Sequence, residues 1–284
     1  MAYWQWGSPA AAHVVVCVHG LSRQGRDFDT LAAHLVEKAQ GNLRVICPDV
    51  VGRGQSDWLK DPTAYKIPTY AADMLALLAQ LHAQAPMTKL DWFGTSMGGL
   101  IGMVMCGQPG LPLPTAVNKF VINDIGPAIE WGSLVRIGSS LGVPVTFDSF
   151  QQGADALWTI SSSFGPHTPE QWLALCKPQL QHVSDTVARK LRFHYDPALA
   201  APFKSATEAS TLEDEKTLWR LYDNIKAQTL LLRGAQSDLL SSATARAMSQ
   251  RGPKARLAEF AGVGHAPTVI AADQLAAVTG FLLD

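Results

Sequence analysis

The chain has little of what marks several function classes. Its charges nearly cancel, with 23 Lys and Arg against 24 Asp and Glu for a net charge of −1. That balance leaves no basic footprint for nucleic acid and no polycationic face for a membrane. Cysteine is sparse: the four (Cys17, Cys47, Cys106 and Cys176) stand far apart with no Cys-x-x-Cys spacing. This pattern argues against a zinc site and leaves the thiols as small hydrophobes. Near the start, the longest apolar run is Val14–Val18, far too short to span a bilayer. It lacks the basic flank and the small-residue cleavage site of a secretion signal, so a cytoplasmic protein is expected. Internal repeats and low-complexity tracts are also missing.

What is there is a folded chain of 284 residues, 47% hydrophobic and 17% charged. That length suits one large α/β domain, or such a domain carrying an insertion. Short buried runs alternate with amphipathic segments. Val14–His19, Arg44–Pro48, Lys89–Phe93 and Lys119–Asn123 read as strands, with helical spacing over Asp27–Ala39, Ala71–Gln84 and Leu100–Cys106. From Gly126-Pro127 to about Thr217 no strand pattern appears, and short helices and turns carry Trp131, Phe147, Phe150, Trp158, Phe164, Trp172 and Phe193. The alternation resumes with strands Thr229–Arg233 and Arg256–Phe260 and a last helix from about Asp273. Such a chain predicts a mostly parallel, doubly wound sheet formed by residues 1–126 and 218–284, with a helical cap inserted at 127–217.

Gly94-Thr95-Ser96-Met97-Gly98-Gly99 sits between a strand and a helix. A Gly-x-Ser-x-Gly in that setting forms a sharp turn that holds the serine in a strained backbone, and the glycines let strand and helix approach closely. A serine hydroxyl needs a neighbouring base, itself oriented by a third group, to become a nucleophile. In an open parallel sheet such groups gather after the carboxyl ends of strands. Ser96, Asp238 (in Gly234-Ala235-Gln236-Ser237-Asp238) and His265 (in Gly262-Val263-Gly264-His265) each follow a predicted strand, in the chain order Ser, Asp, His.

With those residues in place the sequence resembles the α/β-hydrolase fold family over nearly its whole length, from His19-Gly20-Leu21 to Gly264-His265-Ala266-Pro267. Asp49-x-x-Gly52-Arg53-Gly54-x-Ser56-Asp57 looks like a loop of that family. The resemblance implies Ser96 as nucleophile, His265 as base and then acid, Asp238 as the carboxylate behind it, and an oxyanion hole from the backbone N–H groups of Leu21 and Met97. Asp124, which also follows a strand, is the alternative acid, since some members of the family place it there. His19, Asp49, Arg53 and Asp57 read as residues that hold their loops. No metal or organic cofactor is required.

Serine at position 96 argues against the dehalogenases and epoxide hydrolases of this fold, which carry a carboxylate there. Ala266-Pro267-Thr268 after the histidine weakens the resemblance to carbon–carbon bond hydrolases. The expected activity is hydrolysis of small to medium acyl or hydroxyacid esters through an acyl-enzyme. A carbon–carbon bond or lactone hydrolase is the alternative, and a non-catalytic binding module of the same fold the alternative from another class. The aromatics of the insertion read as small-core residues, some of them available to touch substrate.

Overall fold

Alternation along single strands builds both faces of the central sheet. Val14, Val16 and Val18 pack into one apolar layer while Val15 and Cys17 pack into the other, so every residue of the run is buried. A strand buried on both faces is what a parallel sheet with helices on each side requires. The computed structural model describes residues 1–183 and 190–284.

Seven strands form this sheet: β1 (Tyr3–Gly7), β2 (His13–Val18), β3 (Arg44–Pro48), β4 (Lys89–Thr95), β5 (Val117–Asn123), β8 (Gln228–Gly234) and β9 (Arg256–Phe260). Their order is β1-β3-β2-β4-β5-β8-β9, and every pair is parallel except the edge pair β1–β3. Helices α1 (Asp29–Lys38) and α10 (Ala272–Leu283) cover one face, through Leu31, Leu35, Val278 and Leu282 against Phe93, Val121 and Leu232. The other face meets α2 (Ile67–Gln84), α3 (Met97–Gly107), α8 (Glu208–Asn224) and α9 (Ser242–Gln250), with Met74, Ile101, Tyr222 and Met248 against Trp92, Phe120 and Leu231.

Between β5 and β8 lie α4 (Trp131–Ser140), α5 (Phe150–Ser161), α6 (Pro169–Cys176) and α7 (Ala201–Ser205), then α8. Part of the insertion expected at 127–217, residues 184–189, lies outside the described residues. Two features differ from the expectation. A short antiparallel pair, β6 (Leu180–His182) and β7 (Leu191–Phe193), stands inside the segment read as strand-free. Three residues per strand carry too little alternation to register as a pattern. The boundary expected at residue 217 also falls inside α8, a continuous helix that packs on α3. Its exposed outer face gives it the polar composition that made it look like part of the insertion.

The insertion has small cores of its own. Trp172 stacks edge-on with Trp158, their ring centroids 5.0 Å apart, and donates from Nε1 to the Ala154 carbonyl at 2.9 Å. Phe147 packs in the same way with Phe193. Among the described residues, no helix is long and apolar enough to cross a membrane.

Candidate active site

Ser96 occupies the turn between β4 and α3 with φ +51° and ψ −116°. Few L-residues adopt that conformation, which costs on the order of 1–3 kcal/mol and persists only where its surroundings enforce it. They do so here. A Cβ on Gly94 would lie 2.3 Å from the Gly98 carbonyl oxygen, and one on Gly98 would lie 2.0 Å from the Val18 oxygen. The Ser96 N–H donates to the Asn123 carbonyl of β5 at 2.9 Å, pinning the turn to the next strand.

His265 follows β9 and reaches across the end of β8. Its Nε2 lies 3.0 Å from Ser96 Oγ and its Nδ1 2.8 Å from Asp124 Oδ2. The carboxylate accepts, so Nδ1 carries the proton and Nε2 is left free to accept from the serine hydroxyl. Asp124 is fully buried just past β5. Its Oδ1 accepts the Gly234 N–H at 2.8 Å, and its Oδ2 also accepts the Ser237 hydroxyl at 2.6 Å.

The acid expected at Asp238 is therefore corrected: the carboxylate on His265 is that of Asp124. Asp238 is 47% exposed and pairs with Arg136, whose Nη2 lies 2.5 Å from its Oδ2. The loop after β8 does serve the site, but through two donors, the Gly234 amide and the Ser237 hydroxyl. The buried carboxylate needs those donors, and a solvated aspartate one residue further on does not substitute for it.

Gly20 and Leu21 line the same cavity as Ser96 and His265. Met97 is the first residue of α3, where an N–H has no acceptor within its own helix and points out of the N-terminus. His19 and Arg53 hold this region from behind. Fully buried His19 donates from Nδ1 to the Gly20 carbonyl at 2.7 Å and accepts the Val50 N–H on Nε2 at 2.9 Å. Burial pushes its pKa down to about 3, so the ring stays neutral and can do both. It is a loop-holding residue, as expected.

Arg53 does more than its loop requires. It is fully buried, and its Nε donates to the Leu21 carbonyl and its Nη1 to the Val51 carbonyl, both at 2.7 Å. Its Nη2 rests 3.3 Å from Met97 Sδ, so one guanidinium touches both residues expected to supply oxyanion donors. The rings of Tyr70 and Tyr65 lie 4.9 and 5.9 Å from its central carbon. Arg53→Met should leave two carbonyls without their donor and lower stability by about 2–5 kcal/mol. It should also slow turnover about tenfold or more as the Leu21 loop loosens. Urea melts and kcat on one ester substrate check both.

Two further residues were not visible as site residues in the sequence. Asn123 donates from Nδ2 to the Pro267 carbonyl at 2.8 Å and to Thr95 Oγ1 at 3.0 Å, tying the histidine loop to the strand ends. Ser163, from the insertion, donates from Oγ to the His265 carbonyl at 3.1 Å and accepts the Gly264 N–H on its own carbonyl at 2.5 Å. Side-chain amides and hydroxyls at the ends of elements have no pattern of their own. Adjacency of Asn123 to the strand terminus was the single available signal.

The cavity over Ser96 measures about 140 Å³. Its apolar walls come from the insertion, through Ile137, Leu141, Leu157, Ile160, Phe164 and Phe193. Of the seven aromatics singled out in the insertion, Phe164 and Phe193 line it; Trp172 and Phe147 are spent on the small cores.

Comparison with known proteins agrees with this architecture. A family model described as alpha/beta hydrolase fold matches residues 13–269. The chain is 47% identical over 281 residues to a 3-hydroxybutyrate-oligomer hydrolase of Cupriavidus necator, covering 99% of this chain and 92% of that protein. It is 25% identical over 267 residues to a pimeloyl-[acyl-carrier protein] methyl ester esterase of Stenotrophomonas maltophilia, covering 93% and 90%. Among solved structures, an alpha/beta hydrolase from Novosphingobium aromaticivorans superposes with a TM-score of 0.82 at 32% identity, covering 99% of this chain and 93% of that one.

Proposed function

The chain belongs to the α/β-hydrolase fold family, and on that premise we propose that it hydrolyses short oligoesters of hydroxyacids of the 3-hydroxybutyrate type by a serine acyl-enzyme route. One observation carries the reaction type: the unbroken hydrogen-bonded chain Ser96 Oγ–His265 Nε2 and His265 Nδ1–Asp124 Oδ2, at 3.0 and 2.8 Å. The relative with 47% identity supports the substrate class, and a small apolar cavity suits one short hydroxyacyl unit.

In this reading Ser96 Oγ attacks the ester carbonyl carbon as its proton passes to His265 Nε2. Asp124 holds the ring in the tautomer that can accept that proton and stabilises the imidazolium that results. The Leu21 and Met97 N–H groups receive the negative charge that forms on the carbonyl oxygen. His265 then returns the proton to the departing alcohol oxygen and the C–O bond breaks. A water molecule attacks the acyl-serine, giving its proton to the same nitrogen, and the free acid leaves as Ser96 recovers its hydrogen. Four unpaired thiols support a reducing, cytoplasmic setting for the reaction.

The test is a substrate panel. Purified protein should cleave the linear dimer of 3-hydroxybutyrate and p-nitrophenyl butyrate, and a fluorophosphonate should add once per chain, seen by intact mass. Turnover of a vinylogous diketone without ester turnover would point instead to carbon–carbon bond hydrolysis. Absence of both turnover and labelling would leave a binding module.

A further inference from the structure

We infer that His167 is a positioning residue for the general base: with Ser163 it straps the insertion onto the loop of His265 and so sets how the catalytic ring faces Ser96. This rests on the ester-hydrolase reading of Ser96 and adds how its base is held during turnover.

The strap is the short segment that follows α5. Ser163 Oγ donates to the His265 carbonyl at 3.1 Å, and the Ser163 carbonyl accepts the Gly264 N–H at 2.5 Å. Three residues past the histidine, Thr268 Oγ1 lies 2.8 Å from His167 Nε2. The insertion therefore grips the loop on both sides of His265. From the core, Asn123 Nδ2 reaches the Pro267 carbonyl, between those two grips. Contact is close enough to dictate residue type. A Cβ on Gly264 would lie 2.9 Å from Ser163 Cβ and 3.2 Å from the Ser163 carbonyl oxygen. One on Gly165 would lie 2.8 Å from Val263 Cγ2.

The His167 end of the strap has a defined tautomer. Its Nδ1 lies 2.9 Å from the Gly165 carbonyl, which only accepts, so Nδ1 carries the proton and Nε2 accepts the Thr268 hydroxyl. Burial holds the pKa of this ring below the usual histidine value, which favours the neutral form that the pairing needs. The ring lies 5.6 Å from that of Trp172, and Phe164 meets the same indole at 6.3 Å. Trp172 is itself tied to the Ala154 carbonyl within the small core of the insertion. Phe164, next to Ser163, lines the cavity over Ser96. One short segment thus joins the core of the insertion, the cavity wall and the histidine loop.

Proton transfer needs His265 Nε2 within hydrogen-bond reach of Ser96 Oγ, and then of the departing oxygen. Asp124 fixes the ring from its far side, and the strap fixes the backbone that carries it. A misplacement of about 1 Å can cost about a hundredfold in rate. Releasing one of two grips on the loop should cost less, and the loss should fall on kcat, because the cavity walls that bind substrate stay in place.

A double-variant cycle on p-nitrophenyl butyrate, with the rate of fluorophosphonate labelling followed in parallel, tests this. His167→Ala and Thr268→Val should each lower kcat about tenfold with KM within about twofold, and the combined variant should lose no more than either alone. His167→Gln, whose amide can both donate and accept, should bring kcat back to within about threefold of wild type. Labelling should slow and recover in step with kcat. Losses that multiply in the combined variant, a loss carried by KM, or a glutamine no better than alanine overturns the assignment, as does an unchanged kcat in both single variants. Should His167→Ala fail to fold, the near-isosteric Thr268→Val removes the same hydrogen bond and decides alone. A wild type that cleaves neither this ester nor the 3-hydroxybutyrate dimer sinks the ester-hydrolase reading instead.

Discussion

Ser96→Ala should abolish measurable ester turnover, with kcat falling by about 10⁴-fold or more while the substrate still binds. The expected size follows from what the hydroxyl does in the proposed route. Without Oγ there is no covalent intermediate, and direct attack by water must proceed with the oxyanion donors and binding contacts alone. The fold should hardly notice. Alanine is accommodated at φ +51° about as poorly as serine, and the hydrogen bond that pins the turn uses the Ser96 backbone N–H, not the side chain. A urea midpoint close to wild type, full loss of fluorophosphonate labelling, and an unchanged dissociation constant for a non-hydrolysable ether analogue are the three readings to take together. Turnover within tenfold of wild type would remove Ser96 from the chemistry.

The reason Ser96 was legible lies in backbone sterics. Glycines at 94 and 98 are demanded by carbonyl oxygens that a Cβ would strike, so the turn writes its requirement into the residue types. The sheet was legible for a related reason: buried parallel strands must be apolar on both faces, and Val14–Val18 or Arg44–Pro48 show that as continuous runs. The edge strand β1 was not, because Trp4 and Trp6 are half-covered on an antiparallel edge and their alternation is short. The acid is ambiguous in the sequence because two aspartates, Asp124 and Asp238, follow strands. Chain order and loop composition treat them alike; burial separates them, and burial depends on what the neighbouring loop contributes.

That distinction between the two aspartates yields the second large effect. Asp124→Asn should cut kcat by about 10³–10⁴-fold, and Asp238→Asn by no more than a few-fold. Every bond to the Asp124 carboxylate is accepted: from Gly234 N–H on Oδ1, and from Ser237 Oγ and His265 Nδ1 on Oδ2. An asparagine has one acceptor oxygen. With that oxygen kept on the Gly234 amide, its NH₂ group faces Ser237 and the histidine. Ser237 can turn its hydroxyl and accept, whereas His265 must release the proton on Nδ1 to accept there. The ring then carries its proton on Nε2, against Ser96 Oγ, where no base remains for the attack. Asp238→Asn breaks an exposed pair with Arg136 and touches neither the ring nor its support. Kinetics of the two variants on the 3-hydroxybutyrate dimer separate the possibilities. A large loss in Asp238→Asn with activity preserved in Asp124→Asn would reverse the assignment, and it would require a loop after β8 that turns a solvated carboxylate inward past Ser237.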